Sequence, residues 1–197
     1  MPYKETIATE HMVKKCITEE PPKKAAVLDP LDVHHLNAAE GWLALGDLSE
    51  AHDELKKMSL PCRFHPRVLL VRWEICAQQQ MWEGARVIAQ GLVTLVPDDP
   101  SGWINRSVAL HALKRTPEAW QSLLPAADKF TDNALVAYNL ACYAAQLGRF
   151  EESNQWLEKA MSLDKDKRLK FIAVKDPDLQ PLWTHFAASK PDNSSAN

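Results

Sequence analysis

From Asn133 to Lys167 the chain reads NALVAYNLACYAAQLG and then RFEESNQWLEKAMSLDKDK. Two helical patterns flank one turn at Gly148-Arg149. The same pattern recurs upstream at a fixed interval. The small residues that open the second helix of each copy are Ala51, Ala85, Ala119 and Ser153, each 34 residues from the next. Four residues later stand Leu55, Ala89, Leu123 and Leu157, and three further on Met58, Leu92, Ala126 and Ala160. The turn column holds Gly46-Asp47, Gln80-Met81, Lys114-Arg115 and Gly148-Arg149. A gap-free repeat of this period marks a stacked-unit architecture, because one helix pair cannot bury its own apolar face.

The frame divides the chain into a lead-in at 1–31, units at 32–65, 66–99, 100–133 and 134–167, a cap at 168–188 and a polar tail at 189–197. In the first unit Leu36, the Ala38-Ala39 pair and Leu43 mark one helix. Ser49 is positioned to cap a second helix that turns Ala51, Leu55 and Met58 inward. Trp73 breaks the small-residue column of Ala39, Ser107 and Ala141, which predicts less regular packing there. In the lead-in, Ile7, Met12, Val13 and Ile17 can share a helical face until Pro21-Pro22, and the stretch from Pro22 through Asp29-Pro30 reads as a linker or an extended lead-in. In the cap, Asp176 and Pro177 read as an N-cap and a first-turn proline. Leu179, Leu182, Trp183 and Phe186 then form one face.

Composition narrows the function classes. The 197 residues are 46% hydrophobic with a net charge of −3, a globular balance that gives no electrostatic reason to expect nucleic acid. No apolar run is long enough to span a bilayer, so no membrane insertion is expected. The N-terminus shows no signal-peptide core, and a reducing, cytoplasmic setting is expected. Cys16, Cys62, Cys76 and Cys142 are scattered and form no Cys-x-x-Cys pair. No hydrolase, metalloprotease or phosphate-loop motif is present, so no enzyme activity, metal or cofactor is expected. His34-His35 with Glu40 is the nearest approach to a metal cluster, but adjacent histidines diverge on a helix. Cys142 has no neighbour in sequence that would activate its thiol. Trp42, Trp103, Trp120, Trp156 and Trp183 fall on packing columns, whereas Trp82 is the one expected at the surface.

The four units, 136 of the 197 residues, resemble the tetratricopeptide repeat. The family signature runs Trp, Leu-Gly, Tyr, then Ala, Phe, Ala and Pro at fixed offsets. The third unit carries Trp103, Leu110, Ala119, Leu123 and Ala126 at matching positions. The fourth carries Leu140, Ala141, Gly148, Ser153, Leu157 and Ala160. Trp42 falls on the Tyr position rather than the Trp position. The resemblance implies an all-α, right-handed solenoid of four helix-turn-helix pairs with a C-terminal cap. It also implies a non-catalytic interaction module or scaffold whose concave groove, lined by the first helix of each pair, holds a peptide or partner protein.

The groove columns that the resemblance implies contain Asn37 and Glu40, Glu74, Asn105, Tyr138 and Asn139, with His111 one turn further on. An amide in the column of Asn37, Asn105 and Asn139 can hold a peptide backbone through a donor and an acceptor at once. Some family members pair such asparagines with flanking lysines to clamp a terminal carboxylate. Here Ser101 and Leu169 take the lysine positions and Val71 interrupts the asparagines. Arg67, Arg72 and Arg106 are candidates for a basic patch that holds a partner carboxylate. The alternative is self-association through the 168–188 face or residues 1–20, with RNA binding a weaker third reading. The sequence specifies neither the partner nor the oligomeric state.

Overall fold

The 34-residue interval fixes backbone conformation as well as side-chain burial. Gly46, Gln80, Lys114 and Gly148 all have positive φ (81°, 57°, 63° and 73°). At each, the following N–H reaches five residues back: Asp47 to Trp42, Met81 to Cys76, Arg115 to Leu110 and Arg149 to Ala144, at 2.8–3.0 Å. This is the Schellman closure of a helix, repeated four times. Immediately after it the second helices start at Leu48, Trp82, Thr116 and Phe150.

The computed structural model describes residues 26–188. The expected helical face at Ile7, Met12, Val13 and Ile17, and the polar tail, lie outside these residues. All regular structure among the described residues is helical. In chain order the α-helices are α1 (Pro30–Ala44), α2 (Leu48–Lys57), α3 (Pro66–Gln78), α4 (Trp82–Leu95), α5 (Pro100–Ala112), α6 (Thr116–Lys129), α7 (Ala134–Gln146), α8 (Phe150–Leu163), α9 (Arg168–Ala173) and α10 (Gln180–Ala188). Two 3₁₀ turns, Leu60–Phe64 and Pro177–Leu179, join α2 to α3 and α9 to α10. The chain forms two compact units, one up to Ala109 and one from Leu110, with the division inside α5.

Local chemistry sets the helix starts. Asp29, His65 and Asn133 accept backbone N–H bonds as N-caps of α1, α3 and α7. Proline follows at Pro30 and Pro66, where its missing N–H costs nothing. Asp29-Pro30 is thus the start of α1 rather than part of a linker. Asp47, not Ser49, caps α2, accepting from Glu50 N–H at 3.0 Å. The helix starts one residue after the Schellman turn, so Ser49 is already inside it.

Helix α2 has 10 residues where α4, α6 and α8 each have 14. Pro61 is the reason. It occupies the position that Leu95, Lys129 and Leu163 take in the other copies. A proline there has no N–H to donate, and its ring would clash with the carbonyl four residues back, that of Lys57, the last residue of α2. The helix closes early and the 3₁₀ turn takes over. Ser59 then donates its N–H (2.8 Å) and hydroxyl (2.7 Å) to the carboxylate of Asp32. Asp32 is buried, and these two donors hold its carboxyl below the usual carboxylate range.

In the first unit α1 packs on α2 and α3 on α4; in the second, α7 packs on α8. All twelve residues of the three inward columns of the second helices are buried, from Ala51, Leu55 and Met58 to Ser153, Leu157 and Ala160. Ala39, Ser107 and Ala141 are fully buried on the first helices. Ser153 stands in the alanine column because its hydroxyl bonds the Ala141 carbonyl at 2.8 Å. Trp73, too large for its column, is only half-buried and packs against the cluster around Leu69 and Cys76. Trp82 joins the same cluster instead of lying at the surface. Trp120 is buried and Trp103, Trp156 and Trp183 are half-buried, but Trp42 is 37% exposed. The buried first-helix positions around it belong to Leu36 and Ala39.

Candidate functional site

In the first unit the candidate residues start from α1 and α3. Asn37 and Glu40 are three residues apart on α1 and so project to the same side. Arg67 lies in the first turn of α3, where the His65 cap and Pro66 hold the backbone. Its Nη2 donates to both carboxylate oxygens of Glu40 (2.8 and 2.9 Å) and to Asn37 Oδ1 (3.2 Å). Three predicted groove residues from two consecutive repeats therefore meet in one polar cluster. The ion pair is open to solvent, with side chains 46% and 40% exposed. An exposed pair of this kind contributes only about 0–1 kcal/mol to stability. Exchanging it for a partner's carboxylate or cation consequently costs the fold little.

The three arginines do not make the basic patch read from the sequence. Arg67 is held by Glu40. Arg72 is buried at 7% exposure. Arg106 is half-buried, with its guanidinium 5.1 Å from the Trp103 ring and Nη1 2.9 Å from Gln90 Oε1. Neither Arg72, which is buried, nor Arg106, which is half-buried against Trp103 and Gln90, presents an open charge beside Arg67. Glu74 accepts from Gln78 Nε2 at 3.0 Å on its own helix, and Asn105 is half-buried on α5.

The histidine pair is also dispersed. His35 Nδ1 lies 2.7 Å from Glu54 Oε2 on α2, while Glu40 turns to Arg67. Among the described residues no group of three or more His, Cys, Asp or Glu side chains is placed to hold a metal ion.

In the second unit the face of α7 is covered by the chain's own cap. Tyr138, Cys142 and Gln146, spaced by four along α7, all meet the segment 176–178. The Tyr138 hydroxyl donates to Asp176 Oδ2 at 2.6 Å, and Cys142 Sγ lies 3.8 Å from the same oxygen. Gln146 Nε2 donates to the Asp178 carbonyl at 2.9 Å. His111 Nε2 is 3.2 Å from Asp178 Oδ2, and its Nδ1 is 3.0 Å from Thr116 Oγ1. Burial, reinforced by the bond to Asp176, pushes the Tyr138 phenol far above its usual range. Burial next to the Asp176 charge does the same to the Cys142 thiol, which disfavours the nucleophilic thiolate. The His111 hydrogen bond draws Asp178 below the ordinary carboxylate value.

Asn139 is likewise committed: its Nδ2 donates to the Leu135 carbonyl at 2.8 Å and its Oδ1 accepts from the Tyr143 hydroxyl at 3.4 Å. The residues that sequence reasoning missed here are Asp176 and Asp178. Asp176 was legible only as a helix-start signal with Pro177, and it does cap the 3₁₀ turn through Asp178 N–H; Asp178 carried no signal. Nothing local in the sequence marks the return of this segment, 38 residues on, to Tyr138.

No protein-family model matches the chain, and no curated protein does. Solved structures do. One titled MamA 41-end from Desulfovibrio magneticus RS-1 superposes with a TM-score of 0.61 at 18% identity, over 82% of this chain and 94% of that one. A second, titled MamA MSR-1 C2, gives 0.57 at 21% identity over 70% and 79%. YrrB, described as a TPR protein with an unusual peptide-binding site, gives 0.56 at 14% identity over 89% and 95%. At these identities the likeness concerns fold. Together with the four Schellman turns and the buried 34-residue columns, it gives this chain the all-α fold of the tetratricopeptide-repeat proteins.

Proposed function

We propose that the protein is a non-catalytic interaction module whose first unit receives a peptide or protein segment on the first-helix face carrying Asn37, Glu40, Arg67, Glu74 and Asn105. The observation that supports this reading best is the cluster of Asn37, Glu40 and Arg67. It is polar, solvent-exposed, weakly self-stabilised and shared by consecutive repeats, in the columns where the repeat resemblance implies ligand contact. Arg67 offers a planar donor pair to a partner carboxylate, and Asn37 offers a donor and an acceptor to a partner backbone. Tyr138 and His111 act differently, fastening the cap through Asp176 and Asp178, and Asn139 is bonded within α7. The likeness to YrrB, whose title reports a peptide-binding site, is in keeping with this reading.

The test is a binding isotherm with the native partner, once captured by cross-linking in cells. Arg67→Ala and Asn37→Ala are each expected to weaken binding by about tenfold, the loss of one charge-assisted or bidentate hydrogen-bond set. The thermal transition should move little. Unchanged affinity in the double variant would remove this face from the interaction.

A further inference from the structure

One stretch of the second unit carries apolar and cationic side chains that neither the groove nor the core uses. It runs Lys165-Asp166-Lys167-Arg168-Leu169-Lys170-Phe171-Ile172-Ala173-Val174-Lys175, through α9 and its C-cap. Leu169 and Ala173 are buried and anchor it. Phe171, Ile172 and Val174 project outward at 75%, 51% and 65% exposure. Lys165, Lys167, Arg168, Lys170 and Lys175 surround them, all exposed. One exposed carboxylate, Asp166, interrupts the cations, 3.8 Å from Arg168 Nε. Asp164 and Asp176, at the two ends, are half-buried and engaged by Leu169 N–H and the Tyr138 hydroxyl. A chain of net charge −3 thus gathers five cations around three bare apolar side chains within eleven residues.

We propose that this segment seats the protein on an anionic lipid surface. Phe171, Ile172 and Val174 enter the boundary between headgroups and acyl chains, and the five cations lie against the lipid phosphates. Neither part is sufficient alone. A few apolar side chains give marginal, reversible attachment, and a basic patch supplies the second signal. The geometry favours a flat surface over a protein segment. Residues that line a groove are shaded by its opposite wall, whereas these three are more than half exposed and stand proud of the chain. Charge argues against a second copy. An isologous contact would place the same five cations on one another.

The experiment is co-sedimentation of the full chain with vesicles. Phosphatidylcholine vesicles carrying about a third phosphatidylglycerol should bind it at low salt, and pure phosphatidylcholine should not. Raising the salt to about 0.5 M should release it, because the screening length then falls to a few ångströms. Lys167→Glu with Lys170→Glu, and separately Phe171→Ser with Ile172→Ser, should each weaken binding about tenfold or more. All four positions are exposed, so circular dichroism should be unchanged. Failure to bind anionic vesicles at low salt overturns the proposal, as does binding that survives both double variants. Concentration-dependent dimerisation abolished by Phe171→Ser with Ile172→Ser, without vesicle binding, would assign the patch to a second copy. Binding of polyglutamate without vesicle binding would assign it to an acidic protein. Either result overturns the lipid proposal.

Discussion

At the scale of single residues, Asp32 shows how one buried carboxylate joins elements that composition leaves unrelated. It accepts two hydrogen bonds from Ser59, 27 residues away, and they depress its pKa. A depressed pKa contributes stability above the unfolded value of about 3.9, and that contribution is lost as pH falls through the folded value. Asp32→Asn should therefore cost about 1 kcal/mol in urea denaturation at pH 7. The gap between variant and parent should narrow as the pH is taken below about 4. The left-handed column makes a second prediction. Gln80 and Lys114 have the backbone that glycine adopts at Gly46 and Gly148. Gln80→Gly and Lys114→Gly should each stabilise by about 0.5–1 kcal/mol, net of the extra unfolded-state freedom of glycine. Gly148→Ala should destabilise by about 1 kcal/mol, read from the same denaturation curves.

At the scale of elements, the approach of α5 to α4 is set by Gly102. A Cβ there would stand 2.8 Å from the Val93 backbone N and 2.9 Å from Leu92 Cβ. Gly102→Ala gains helix propensity, but overpacking of this kind costs about 1–3 kcal/mol, so net destabilisation is expected in thermal melts. The elements were largely legible in sequence because a fixed interval imposes the same burial on every copy. Ala51, Ala85, Ala119 and Ser153 could be aligned without knowing their contacts. Three features escaped for physical reasons. Asp47 takes the capping role from Ser49 because the Schellman turn decides where α2 begins. Pro61 shortens α2, and a repeat frame does not register a local stop. The bonds from Tyr138 to Asp176 and from His111 to Asp178 are non-local. No periodicity reports where a cap returns after leaving the frame.

At the scale of the whole molecule, the two units carry different chemistry. The first unit keeps an exposed polar cluster at Asn37, Glu40 and Arg67. In the second, the corresponding helix face is closed by the cap, and the exposed chemistry moves to Phe171, Ile172 and the lysines around them. Among the described residues no helix is long and apolar enough to cross a membrane. The groove residues read from repeat columns are uneven as available surface. The difference lies in which of them the chain itself covers. The most direct test of the proposed function is site-specific photo-cross-linking in cells. A photoreactive residue is placed at position 37 or 105 on the first helices, and at Glu50 or Glu83 on the second helices as controls. Adducts to one common partner from positions 37 and 105, and none from 50 and 83, are the predicted result. Adducts from 50 and 83 with none from 37 and 105 would contradict it.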